Sequence, residues 1–211
     1  MAPLAAELAG WTRVYALDLP GFGLSDKPDA ALDIPAMADA TAAWLTANGI
    51  PRAIVLGNSV GTQVAVNLAA RYPNQTLGIV LTGLALGGQR RNTLSQLGRA
   101  LIDIPREPLA LWPMQARDFV AAGPRRVVRT FLLAMNDRIA ALMLEVAAPA
   151  LLVEGTSDPL DDPAWNRLLV ATLPHGRLVT VPGGTHALPI SKPRELGAIV
   201  RTFADELIGP P

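Results

Sequence analysis

The nine residues Ala53 to Gly61, A-I-V-L-G-N-S-V-G, constrain the fold of this chain more than any other stretch. The aliphatic run Ile54-Val55-Leu56 stops abruptly at Gly57, and Val60-Gly61 opens a long apolar-periodic segment. That order predicts a buried strand, a sharp turn and a helix. Ser59 sits at the turn. A serine is a weak nucleophile until a base takes its proton, so a chain that uses one must hold the hydroxyl out towards its partners. A tight strand-to-helix turn does so, and it brings neighbouring backbone close enough that glycine is favoured at Gly57 and Gly61. The helix that follows directs free amides at the same point, and the amide of Val60 is placed to donate to an oxyanion forming beside Ser59.

The rest of the chain alternates strand and helix patterns. Pro3 to Leu8 has helical composition, and Arg13 to Leu17 reads as a strand ending in the turn-rich loop D-L-P-G-F-G-L-S-D-K-P, Asp18 to Pro28. Asp33 caps an expected helix from Ile34 to about Asn48, which returns the chain to the strand before Ser59 as a βαβ unit. Further strands are expected at Leu77 to Thr82, Ala150 to Val153 and Arg177 to Val181. Helices are expected from Val60 to Tyr72, Asp162 to Leu173 and Arg194 to Ile208. Between Gly87 and Val146 only helical patterns occur, punctuated by Pro105, Pro108, Pro113 and Gly123-Pro124. Five strands alternating with helices predict an α/β fold, a mostly parallel sheet with helices on both faces.

Two loops at strand ends carry further chemistry. After Leu151-Leu152-Val153 comes E-G-T-S-D-P-L-D-D-P, with Asp158 just past the strand, and after Leu178 to Val181 comes P-G-G-T-H-A-L-P, with His186. The carboxyl ends of parallel strands share one edge, so Ser59, Asp158 and His186 are expected together. His186 would take the proton of Ser59, and Asp158 would fix the imidazole tautomer and stabilise its cation. Asp161 and Asp162 suit helix capping better than catalysis. His175, the other of two histidines, lies in a turn at the opposite edge. No metal constellation is visible, since there is no cysteine and the histidines are far apart. No phosphate loop stands out either.

With these motifs in order, the chain resembles the α/β-hydrolase fold family over effectively its whole length. The resemblance implies Ser59 as nucleophile, Asp158 as acid and His186 as base. It also implies a core at residues 1–87 and 147–211 with a helical cap insertion at 88–146. Phe22, Asn58, Trp112, Met114 and Phe119 are expected to line the substrate pocket, although apolar cap residues also pack on a body without any ligand. Dehalogenases of this fold need an aspartate where Ser59 stands. The G-N-S turn resembles that of carbon-carbon bond hydrolases of meta-cleavage products and also occurs in esterases. Relative to the family, the strands preceding Arg13 and the His-Gly loop that supplies a second oxyanion donor are missing. The expectation is a truncated sheet in which the Arg13 and Ile54 strands pair directly or leave a gap.

Composition narrows the partners. Half of the 211 residues are hydrophobic and 18 basic residues balance 18 acidic ones, which gives no electrostatic case for nucleic acid or an anionic membrane. The N-terminus lacks the basic start of a signal peptide. The expectations are a small-molecule substrate, no cofactor, a cytoplasmic location and a monomer or homo-oligomer. The expected activity is hydrolysis of a small ester through an acyl-enzyme. The alternatives are carbon-carbon bond hydrolysis, or a truncated, catalytically weak or silent domain.

Overall fold

The computed structural model describes residues 1–84, 98, 102–109 and 111–209. Its sheet is parallel, with strands β1 (Ala53–Asn58), β2 (Thr76–Thr82), β3 (Ala150–Gly155) and β4 (Gly176–Val181) in the order β1-β2-β3-β4. Helices α1 (Ala2–Ala9), α2 (Ile34–Ala47) and α3 (Val60–Arg71) precede β2. Helices α4 (Leu111–Ala122), α5 (Pro124–Met135) and α6 (Ile139–Met143) lie between β2 and β3. Helix α7 (Pro163–Thr172) joins β3 to β4, and α8 (Leu188–Ser191) and α9 (Pro193–Ile208) follow.

Both faces of the sheet are covered, and the period-2 alternation of each strand shows how. Ile79, Leu81 and Leu152 turn to a face packed by Ala65, Ala69, Ile139, Met143 and Leu169 from α3, α6 and α7. Their neighbours Val80, Leu151 and Val153 turn to the other, packed by Leu4 and Leu8 of α1 and by Leu196, Val200 and Phe203 of α9. Fully burying an aliphatic side chain of this size contributes roughly 1.5–3 kcal/mol. A third cluster joins α2 to α3 through Ile34, Met37, Leu45, Val64 and Leu68.

Local signals act as the sequence implies. The Asp33 carboxylate accepts from the Ala36 amide at 2.9 Å and starts α2, and Asp162 accepts from Ala164 and Trp165 at 3.2 Å to start α7. Pro113 does not break its segment, because it lies in the first turn of α4, where a missing amide costs little. Of the stretch expected to form a cap, residues 88–97, 99–101 and 110 lie outside the described residues, Arg90, Arg91 and Arg99 among them.

The expected strand at Arg13 to Leu17 is not formed. These residues have no regular secondary structure and are largely exposed, with Tyr15 and Leu17 47% and 38% accessible. A strand exists only where a ladder partner satisfies its backbone, and β1 pairs with β2 alone among the described residues. The sheet therefore has four described strands, not five, and β1 is its edge. The Tyr15 ring meets Trp44 of α2 edge-on, with centroids 5.2 Å apart. No helix among the described residues is long and apolar enough to cross a membrane.

Candidate active site

Ser59 occupies the turn between β1 and α3 with φ 55° and ψ −122°, and it is the only non-glycine residue with positive φ among the described residues. Such a conformation costs of order 1–3 kcal/mol and persists only where the surroundings enforce it. The enforcement is visible on both sides. The Ser59 amide donates to the Thr82 carbonyl at 3.0 Å, and the Ser59 carbonyl accepts from the Thr62 amide at 2.9 Å and the Thr62 hydroxyl at 2.6 Å. A Cβ on Gly57 would overlap the Gly61 carbonyl and lie 2.7 Å from the Thr62 nitrogen. At Gly61 itself a Cβ meets nothing. Only the first of the two glycines is required sterically by its own side-chain space. Val60 is the first residue of α3, where an amide has no intrahelical acceptor.

Asp158 and His186 are brought together from loops that follow β3 and β4. His186 Nδ1 lies 2.9 Å from Asp158 Oδ2; the Asp158 side chain is buried and that of His186 is 14% exposed. The second Asp158 oxygen accepts from the Leu160 amide at 2.8 Å. The loops are laced along their backbones. Thr156 N–H donates to Val181 O at 3.1 Å, Ser157 N–H to Gly184 O at 2.9 Å, and Gly183 N–H to Thr156 Oγ1 at 2.8 Å. A Cβ at Gly155 would overlap the Gly184 carbonyl, so the two loops touch glycine to glycine.

Ser59 reaches this pair through the end of β2. The strand ends at Thr82, which binds the Ser59 amide, and the next residue, Gly83, has φ +60°. A Cβ there would lie 3.0 Å from His186 Cε1 and Nδ1. The imidazole thus rests on the residue after the one that holds Ser59. No hydrogen bond joins Ser59 Oγ to His186 among the described residues; catalytic hydrogen bonds often tighten only with substrate in place.

The charges around His186 come from two other segments. Burial pulls its pKa down, but the hydrogen bond and charge of Asp158, with Asp103 and Glu107, outweigh it, and the net result lies above the usual histidine value. Burial, with the Glu107 charge added, pushes the Asp103 carboxyl up to about 6. Asp103 and Glu107 belong to the stretch between β2 and β3 and were not singled out from sequence. They lie 55 and 51 residues before Asp158 in the chain, and no local pattern announces such a contact.

Asp161 is not a helix cap as expected. Its carboxylate accepts from Asn166 Nδ2 at 2.7 Å, and the same nitrogen donates to Glu154 at 2.9 Å. Glu154 also accepts from the Thr180 hydroxyl at 2.9 Å. This buried network stands directly behind the Asp158 loop. Burial, together with the charges of Asp158 and Glu154, raises the Asp161 pKa to about 6. An acid whose folded pKa lies above its unfolded one makes the folded state bind more protons between the two values, so stability falls as pH rises through that window. A carboxyl held at about 6 against an ordinary 3.8 corresponds to about 3 kcal/mol. Asp161→Asn is expected to flatten the fall between pH 4 and 6 relative to the parent protein, read from urea midpoints across that range.

The expected pocket residues lie on separate elements. Asn58 ends β1, and its Oδ1 accepts from the Thr82 hydroxyl at 2.8 Å. Phe22 is half-buried against the α2–α3 cluster. On α4, Met114 is half-buried, whereas Trp112 and Phe119 are 45% and 44% exposed. Arg126 of α5 donates to the carbonyls of Pro28 at 2.5 Å and Ala30 at 3.4 Å, tying α5 to the loop after Asp18. His175 is exposed at the opposite edge of the sheet. No cluster among the described residues has the donors to hold a metal ion.

A parallel sheet with a strained serine at one strand end and a histidine–carboxylate pair at two others is the arrangement expected of the α/β-hydrolase fold. The model of the alpha/beta hydrolase family matches residues 1–199, and the chain belongs to that family. It is 29% identical over 234 aligned positions to a pimeloyl-[acyl-carrier protein] methyl ester esterase of Neisseria meningitidis, spanning 99% of this chain and 73% of that protein. To a 2-(acetamidomethylene)succinate hydrolase of Mesorhizobium japonicum it is 25% identical over 228 positions, 96% and 82% of the two chains. Among solved structures, a thermophilic esterase from Thermogutta terrifontis superposes with a TM-score of 0.80 at 22% identity, covering 98% of this chain and 84% of that one. The protein is a hydrolase by this kinship.

Proposed function

We propose that the chain is a serine hydrolase that cleaves a small ester or similar acyl substrate through Ser59, His186 and Asp158. His186 removes the proton of Ser59 as the hydroxyl oxygen attacks the carbonyl carbon. The resulting oxyanion takes the Val60 amide. His186 then returns the proton to the departing alcohol, leaving an acyl-enzyme that water hydrolyses by the same route. Asp158 holds the tautomer in which Nε2 is free to accept. The observation that carries this reading is the 2.9 Å contact of His186 Nδ1 with buried Asp158, beside a serine held at φ 55°. No cofactor enters the reaction, and residues 88–146 act as the cap over the site.

The ester reading is preferred to carbon-carbon bond hydrolysis. A dienoate substrate would call for an arginine from the cap near Ser59. Arg126 is instead engaged with Pro28 and Ala30, and Arg125 and Arg129 line a hollow of about 400 Å³ with Pro124, Val128 and Leu132 on α5. Among the described residues of the insertion, Asp103 and Glu107 are the charged groups that face His186.

The test is time-resolved release of nitrophenol from short-chain nitrophenyl esters. Turnover that disappears in Ser59→Ala supports the reading, and equal release from both proteins rules it out. The base must be neutral to act, and its pKa is raised. The acidic limb of kcat/KM is therefore expected above pH 6.5, with activity rising as pH passes through it.

A further inference from the structure

One buried carboxylate holds the residues on both sides of His186. Glu107 Oε2 accepts from the Thr185 hydroxyl at 2.9 Å, and Glu107 Oε1 accepts from the Ala187 amide at 2.8 Å. Glu107 comes from the stretch between β2 and β3 and is 7% exposed. The loop it grips contains Gly183 and Gly184, the residue type with the most conformational freedom to lose. Two bonds flanking one residue restrict the torsions that aim its side chain.

Glu107 also brings a charge. Among the described residues it forms no ion pair with a lysine or arginine. The groups that face His186 are Asp158 from the loop after β3 and Asp103 and Glu107 from the inserted stretch. Behind them, Arg106 acts on Asp103, and the Asp158 charge acts on Asp161. Lys192, after α8, approaches the loop at Gly183 and pairs with Glu195 at 3.6 Å.

We propose that Glu107 is a positioning residue for the catalytic base, fixing the His186 loop to the inserted stretch and lending its charge to the imidazolium that forms when Ser59 gives up its proton. This rests on His186 being the base. Its role has two separable parts. The bonds set where the ring points, and the charge sets how readily the ring holds a proton.

Glu107→Gln separates them. The amide oxygen can accept from Ala187 and the amide nitrogen can donate to the Thr185 oxygen, so both bonds persist while the charge is lost. The chain has two histidines, and exposed His175 serves as internal reference for imidazole proton resonances. In Glu107→Gln the His186 titration midpoint is expected to move down while that of His175 stays, and the acidic limb of kcat/KM to move the same way. In Glu107→Ala, kcat is expected to fall about 10- to 100-fold with KM within about twofold, and Glu107→Gln is expected to recover most of it. Should Glu107→Ala not fold, Thr185→Val removes one bond and keeps the charge. It should lower kcat without lowering the His186 midpoint.

An unmoved His186 midpoint in Glu107→Gln overturns the proposal. So does wild-type kcat in Glu107→Ala or, in its place, in Thr185→Val. The midpoint is read without substrate. It judges the role of Glu107 even if no ester is hydrolysed, an outcome that would count against the proposed function alone.

Discussion

Ser59→Ala is expected to lower kcat for ester hydrolysis by about 10⁵- to 10⁶-fold, to near the background left by binding and oxyanion stabilisation. The size of the loss follows from what the hydroxyl does. It forms the covalent bond on which both half-reactions depend, and no other described side chain at this edge is placed to replace it. Removing His186 as well should cost little more, because serine and base act as a unit. The fold should survive. The strain at φ 55° belongs to the backbone and is enforced by the Thr82 and Thr62 amide contacts, which alanine retains. The variant is therefore expected to show the parent's urea midpoint and to give no burst of nitrophenol. Wild-type turnover in it would place the chemistry elsewhere in the molecule.

The second large effect is structural in origin. Gly155→Ala is expected to reduce stability by about 3 kcal/mol and to cut kcat about 100-fold or more in the protein that still folds. Gly155 ends β3 opposite Val181, the last residue of β4. A methyl group there overlaps the Gly184 carbonyl and lies 3.0 Å from the Gly184 Cα. Backbone meets backbone, so no side chain can swing aside. Gly184 is itself closely packed, with the Leu188 side chain where a Cβ on Gly184 would stand. Pushing the loops apart breaks the Ser157–Gly184 and Gly183–Thr156 hydrogen bonds and draws Asp158 away from His186. Urea denaturation and single-turnover kinetics on the folded fraction separate the two losses. Gly61→Ala provides the contrast, since its Cβ meets nothing and alanine favours a helix.

Hydrophobic periodicity made most of the skeleton legible. The strand residues Ile79, Leu81, Leu151 and Leu152, the caps Asp33 and Asp162, and the helices that follow each obey local rules that short stretches carry. The strand proposed at Arg13 to Leu17 failed for the opposite reason. Its composition suits a strand, but a strand is a relation between two segments, and no described segment pairs with it. Asp161 was misread in the same way. Its place before α7 suits a cap, yet the burial of Glu154 and Asn166 draws its carboxylate inward.

By itself, the sequence determined the parallel α/β order, the sharp turn at Ser59 and the delivery of Asp158 and His186 to one sheet edge, because strand ends and turn residues are written locally. Only the tertiary structure decided which glycines are indispensable, where the sheet stops, and that Glu107 grips both sides of His186. Those depend on contacts between residues far apart in the chain, where distance and burial, not residue type, determine which groups meet.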